Sequence, residues 1–126
     1  MQKPGVVVVV TEEAEVRARL SELLESEGWV VLPLEDGCEL FDFVEFISDN
    51  PGRRSAPRLI IADAQVPGPS VFETAAWARL NGLEVPFIVF SPTDDEAARD
   101  VARAIGAIEI TSEEDAPELV AETLAA

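Results

Sequence analysis

The stretch VVVVVTEEAEVRARLSELLESEG, residues 6–28, decides the fold class of this chain. It opens with five consecutive valines, and such an uninterrupted β-branched run is typical of a strand buried on both faces of a parallel sheet. Apolar side chains then recur at helical spacing, at Val16, Leu20, Leu23 and Leu24. The stretch therefore predicts a strand followed by a helix, with Thr11 as the N-cap, Glu12 and Glu13 in the first turn, and Gly28 as the stop.

The same strand-then-helix pattern recurs along the rest of the chain. Further strands are predicted at residues 29–34, 59–62, 87–90 and 107–110. Further helices are predicted at 38–48, at 70–80, from Thr93 or Asp94 to 105, and after Asp115. Pro33 favours an edge position for the second strand. Five strands alternating with five helices predict one α/β domain over residues 1–126, a doubly wound parallel sheet with helices on both faces.

Charge and composition narrow the function. The 25 acidic residues outnumber the 9 basic ones, and a net charge of -16 disfavours nucleic-acid and membrane-surface partners. The chain has no histidine, which removes histidine-based catalysis and metal sites. Cys38 is the single cysteine, expected to be buried or half-buried. No apolar run approaches the ~20 residues of a membrane span, so we expect a soluble, cytoplasmic protein.

Polar residues follow several predicted strands, at the edge where ligands bind in such sheets. Glu12 and Glu13 come after the first strand and Asp63 after the third. Ser91 comes after the fourth, and residues 111–113 (TSE) after the fifth. Converging carboxylates could hold Mg²⁺ through oxygen ligands. The glutamates are equally explained by the helix dipole, and Asp63 by a loop-capping role.

Five segments together resemble the receiver domain of bacterial two-component response regulators. In chain order they are VVVVVTEEAEVRARL (6–20), LEDGCEL (34–40), LIIADAQVPG (59–68), VPFIVFS (85–91) and AIGA (104–107). The resemblance covers essentially the whole chain. It implies a flavodoxin-like (βα)5 domain with strand order 2-1-3-4-5, and a signalling protein in place of an enzyme.

The resemblance also implies roles for individual residues. Asp63 stands at the phosphoacceptor position and Ser91 at the switch hydroxyl position. Thr11 and Glu12 occupy the acidic-pair positions. A metal ion would be held by Glu12, Asp63 and the backbone carbonyl of Gln65. The implied partner is a protein, either a histidine kinase or a downstream signalling protein.

The departures from the family pattern concern the chemistry of the site. Thr11 replaces an acid, and Glu12 is one methylene longer than the expected aspartate. Glu113 lies at the position of the family's lysine, while Lys3, before the first strand, is the only lysine. Pro92 follows Ser91 and has no N–H to offer a phosphoryl oxygen. These changes predict a phosphorylation switch that is impaired or absent, with Mg²⁺ bound weakly.

Two other functions remain open at this stage. One is a working receiver that is phosphorylated on Asp63, with Glu12 holding the metal. The other is a different flavodoxin-like activity, such as a Mg²⁺-dependent enzyme or a flavin carrier. The absence of a glycine-rich loop after the first strand counts against nucleotide and flavin binding.

The family often uses its fourth helix, fifth strand and fifth helix for protein contacts, which implies a partner surface there. Here that surface carries acids at Glu109, Glu114 and Glu118, which would attract a basic partner. Phe46 on the second helix is the alternative anchor for a partner, because its position does not match the core face of that helix.

Overall fold

The computed structural model describes residues 5–49, 57–91, 96–106 and 108–125. Five strands are present: β1 (Val6–Val10), β2 (Val30–Leu34), β3 (Leu59–Asp63), β4 (Phe87–Ser91) and β5 (Ile108–Ser112). Five helices alternate with them: α1 (Ala14–Ser26), α2 (Gly37–Asp49), α3 (Val71–Leu80), α4 (Glu96–Ile105) and α5 (Ala116–Ala125). The predicted alternation of strands and helices is confirmed.

The strands form one parallel sheet in the order β2-β1-β3-β4-β5, as the family resemblance implied. β2 lies at one edge, where Pro33 is tolerated. The register aligns the carboxyl ends of the inner strands: Val10 pairs with Ala62, and Asp63 pairs with Phe90. The polar residues that end these strands are therefore brought to one edge of the sheet.

The core consists of two layers, one on each face of the sheet. On one face, Val8 and Val10 pack with Leu40 and Val44 of α2 and with residues of α3. On the other face, Val7 and Val9 pack with the apolar stripe of α1 and with α5. Every residue of β3 and β4 is buried. This double-sided burial is what the continuous valine run of β1 predicted.

Some local predictions were wrong. Thr11 is not the N-cap of α1, because Glu13 occupies that position and the helix begins at Ala14. The Thr11 hydroxyl accepts a hydrogen bond from the Glu13 N–H instead, 3.1 Å away. Cys38, in the first turn of α2, is exposed and not buried or half-buried. Thr93 and Asp94, the predicted caps of α4, fall outside the described residues.

The fifth strand also lies further along the chain than predicted. It runs from Ile108 to Ser112, so Thr111 and Ser112 belong to the strand and Glu113 is the first residue after it. Pairing of Ser112 with Ser91 extends the ladder beyond the apolar residues on which the prediction depended. Among the described helices, none combines the length and the apolar character needed to cross a bilayer.

We expect the two leucines Leu40 and Leu80 to differ sharply in their contribution to stability. Leu40 is fully buried in the α2 layer, whereas Leu80 is 86% exposed at the end of α3. Leu40→Ala should lower the free energy of unfolding by about 2–5 kcal/mol. Leu80→Ala, the matched control, should change it by less than about 0.5 kcal/mol. Urea unfolding followed by circular dichroism measures both, and equal losses would contradict this core assignment.

Candidate functional site

Three polar residues are buried at the carboxyl ends of adjacent strands. Thr11 follows β1 and is fully buried. Asp63 ends β3 and Ser91 ends β4, with 8% and 9% of their surface exposed. All other residues of β1, β3 and β4 are apolar, so these groups form the one polar patch at the carboxyl end of these three described strands. The patch contains the predicted phosphoacceptor and switch positions.

The Asp63 carboxylate is held by two protein donors. The Gln65 N–H donates to Oδ1 over 2.9 Å. The Thr11 hydroxyl donates to Oδ2 over 3.4 Å. A buried carboxylate needs such partners, because an unpaired buried charge is costly. The predicted role of the Gln65 carbonyl as a metal ligand stays a prediction, and the contact to Asp63 is made by the backbone N–H of Gln65.

The backbone N–H and carbonyl of Thr11 are both hydrogen-bonded. Its backbone N–H donates to the Leu34 carbonyl over 3.0 Å, which ties it to the end of β2. Its carbonyl accepts from Arg17 Nη2 at 3.2 Å. The same guanidinium lies 3.9 Å from the Glu35 carboxylate. Arg17 was missed at the sequence level, although a cation one helical turn beyond an acidic segment is a readable signal.

The loop after Asp63 is packed against the start of α2. The Gly37 N–H donates to the Pro67 carbonyl over 2.8 Å. A Cβ at Gly37 would overlap the carbonyl oxygen of Pro69, so only glycine fits there. Gly68 adopts a φ of +94°, which also favours glycine. The Pro67-Gly68 turn quoted from the sequence is thus fixed by direct contact with α2.

Two side-chain hydrogen bonds lie at the start of α2. The Asp36 carboxylate accepts from the Glu39 N–H over 2.8 Å. The Glu39 carboxylate accepts from the Glu35 N–H over 2.6 Å. The D-x-x-E pattern resembles a capping box, except that the Glu39 carboxylate accepts from Glu35 and not from Asp36, and this signal was missed at the sequence level. These hydrogen bonds occupy two acids that would otherwise count as free carboxylates near the site.

The acids predicted to hold a metal do not form a preformed cation site. Glu12 and Glu13 are exposed, on the solvent side of the β1–α1 loop. Within the described ranges, no group of three acidic or cysteine side chains is close enough to hold a metal ion. Thr11 offers a neutral hydroxyl where a second buried acid would supply charge. Of the predicted ligand side chains, only the Asp63 carboxylate is buried, so water would have to supply most of the oxygen ligands of a divalent ion here.

The end of β5 places an acid beside Ser91. Ser91 pairs with Ser112, and its carbonyl accepts from the Glu113 N–H over 3.2 Å. Glu113 is half-buried. An adjacent cleft of about 420 Å³ is lined by Arg19, Ser112, Glu113, Glu114 and Pro117. Lys3 and Pro92, the other two departures from the family pattern, fall outside the described residues.

The predicted partner surface is exposed. Glu109 on β5, Glu114 after it and Glu118 on α5 are all exposed. On α4, Ala102 is buried while Val101 is 44% exposed. A groove of about 140 Å³ between α4 and β5 is lined by Arg99, Ala102, Arg103, Ile108 and Ile110. Arg103 pairs with Asp100 of its own helix at 3.0 Å.

The chain was compared with known families and proteins at the level of sequence. No family model matches the chain. It is 31% identical over 104 residues to the alkaline phosphatase synthesis transcriptional regulatory protein SphR of Synechococcus elongatus, a match that covers 80% of this chain and 40% of that protein. The chain thus spans about two fifths of the length of this curated relative.

Two solved structures are similar throughout. The chemotaxis protein CheY4 of Vibrio cholerae has a TM-score of 0.76 and 21% identity, with 97% of each chain covered. The Mn²⁺-bound form of response regulator Rcp1 has a TM-score of 0.75 and 18% identity, with 97% of this chain and 91% of that chain covered. These likenesses show that the fold is that of response-regulator receiver domains.

We expect Mg²⁺ to bind this site only weakly. Calorimetric titration should give a dissociation constant in the millimolar range or above, which is about 4 kcal/mol of binding free energy or less. The reason is that Thr11 contributes no charge and Glu12 is exposed. Glu12→Gln should then have little effect. A micromolar constant that Glu12→Gln abolishes would show an intact metal site.

Proposed function

We propose that this chain, which has the fold of the response-regulator receiver domain, is a signalling module that acts by binding another protein and whose phosphorylation switch is impaired or absent. The observation that carries the proposal is the state of Asp63. Both of its carboxylate oxygens are engaged by protein donors, and the neutral Thr11 stands where a second acid would be needed. The relatives named as a transcriptional regulatory protein and a chemotaxis protein favour signalling over an enzymatic role.

The chemistry of phosphoryl transfer explains why these changes matter. Such transfer depends on charges and hydrogen-bond donors positioned around the transferring oxygens. Glu113, at the first position after β5, would repel a phosphoryl group on Asp63, whereas a lysine would pair with it. Each charge-assisted contact contributes about 1.5–3 kcal/mol, so loss of two reduces the rate or occupancy by several powers of ten.

A working phosphoacceptor is the second candidate function. Two observations favour it: Asp63 and Ser91 are buried on neighbouring strands, and a structural relative is described in a Mn²⁺-bound form. In this version Asp63 accepts the phosphoryl group and Glu12 moves inward to hold Mg²⁺. The acidic residue at position 113 and the neutral residue at position 11 both oppose it.

The partner proposed for the module is a basic protein, a histidine kinase or a downstream signalling protein. The surface proposed for it is formed by α4, β5 and α5. Its acids at Glu109, Glu114 and Glu118 are exposed, and α5 has no basic residue in its last turn. Exposed carboxylates attract a positively charged partner and make the association rate depend on salt concentration. The same excess of acid makes a nucleic-acid partner unfavourable.

We expect acetyl phosphate with Mg²⁺ to give little stable adduct on Asp63. The result follows because neutral Thr11 stands beside Asp63, and Glu113 stands where the family has a lysine. Intact-protein mass spectrometry measures the fraction labelled, and beryllofluoride should barely shift the amide spectrum. Asp63→Asn is the control. Stoichiometric labelling of the wild type that this variant loses would support the second candidate and sink the first.

We expect charge reversal on the proposed surface to weaken partner binding. Glu114→Lys with Glu118→Lys should raise the dissociation constant and flatten its salt dependence, because both side chains are exposed. The fold should survive, since exposed charge changes cost less than about 0.5 kcal/mol. Phe46→Ala on α2 is the matched control, because Phe46 is 51% exposed away from this surface. Binding that ignores the reversals and collapses with Phe46→Ala would place the interface on α2.

A further inference from the structure

We propose that the hydroxyl of Thr11 is the positioning group of this site: it holds the unphosphorylated Asp63 carboxylate to the β1–α1 loop and takes the place of a divalent cation in doing so. The inference deepens the proposed function and rests on it, since it gives the physical reason for which Asp63 is a poor phosphoacceptor. It assigns to Thr11 a role that goes beyond the mere absence of an acid.

The geometry is a continuous set of hydrogen bonds. The Glu13 N–H donates to Thr11 Oγ1 over 3.1 Å, and the Thr11 hydroxyl donates to Asp63 Oδ2 over 3.4 Å. The Gln65 N–H donates to the other carboxylate oxygen over 2.9 Å. A threonine hydroxyl has one donor and two acceptor positions. Its donor is therefore used by Asp63, and the amide of Glu13 fixes its orientation.

Burial makes this arrangement a substitute for a cation. Thr11 is fully buried and Asp63 is 8% exposed, so the carboxylate depends on protein donors more than on water. With a second carboxylate at position 11, the two like charges would repel each other, and a cation would be needed to hold both ionised. A hydroxyl at that position removes the repulsion and donates a hydrogen bond to the remaining charge. The unphosphorylated carboxylate is therefore held without a metal ion.

The same hydrogen bonds link the charge on Asp63 to the start of α1. Glu13 is the N-cap residue of α1, and its N–H donates to the Thr11 hydroxyl. A change in the charge of Asp63 changes the hydrogen bond that the Thr11 hydroxyl donates to it. The hydrogen bond from the Glu13 N–H to the same hydroxyl then changes as well. The backbone amide of the exposed residue Glu13 thus reports the state of a buried carboxylate.

The first test restores an acid at position 11. Electron paramagnetic resonance measures the concentration of free Mn²⁺ and so gives the dissociation constant of the Mn²⁺ complex. This constant should be at least tenfold lower for Thr11→Asp than for the wild type. The double variant Thr11→Asp with Asp63→Asn should lose that gain. Thr11→Val, which keeps the shape and removes the hydroxyl, should show no gain. If Thr11→Asp binds Mn²⁺ no better than the wild type, or Thr11→Val gains as much, the proposal is overturned.

The second test follows the coupling by amide NMR. Asp63→Asn should shift the Glu13 amide signal in the wild-type background and in Thr11→Ser, where a hydroxyl is present. The shift should be at least halved in Thr11→Val. A merely structural role for Thr11 would leave the response to Asp63→Asn unchanged in all three backgrounds, and that result would refute the proposal. Folding of each variant is checked from the remaining amide signals.

These experiments separate the inference from the proposed function, because they use neither a phosphodonor nor a partner protein. Stoichiometric labelling of Asp63 by acetyl phosphate would overturn the proposed function and leave the hydroxyl coupling measurable. A Glu13 amide that responds to Asp63→Asn without help from the Thr11 hydroxyl would overturn the inference alone.

Discussion

Burial of the inner strands on both faces is the constraint on which the rest of the structure depends. β3 and β4 are buried at every residue, and β1 is buried at four of its five. Polar side chains in these strands are confined to their carboxyl ends, because nothing inside the two apolar layers could bond them. Thr11, Asp63 and Ser91 lie together for this reason, and the identity of three residues determines the chemistry of that end of the sheet.

The strength of the same constraint explains how much could be predicted. The valine run, the apolar helical stripes and the strand-end position of Asp63 are consequences of burial, and burial leaves a periodic signal in the sequence. The family resemblance supplied the strand order, which periodicity does not contain. The fold was therefore predictable, and so was the position of Asp63 and Ser91 at the carboxyl ends of their strands.

The details that escaped prediction depend on individual hydrogen bonds. A polar triplet after a strand reads as a helix cap, but Thr11 is drawn inward by the Leu34 carbonyl and by Asp63. The two glutamates after it are left exposed, so three adjacent polar residues have different environments. β5 was misplaced because Thr111 and Ser112 are polar, although pairing with β4 keeps them in the sheet. The pattern of hydrophobic residues does not contain information about these individual hydrogen bonds and strand pairings.

The open edge of the sheet at β2 has a consequence for self-assembly. The Val30 N–H donates to the Gly5 carbonyl, and the Leu34 carbonyl accepts from the Thr11 N–H. The backbone N–H and C=O groups of even-numbered β2 residues therefore point toward β1, and those of odd-numbered residues point away from the sheet. Of the outward positions, Pro33 has no N–H, and the N–H of Glu35 is already bonded to Glu39. An incoming strand finds these donors missing or occupied, which discourages polymerisation and amyloid-like stacking along that edge. The β2 edge is thereby a poor template for aggregation.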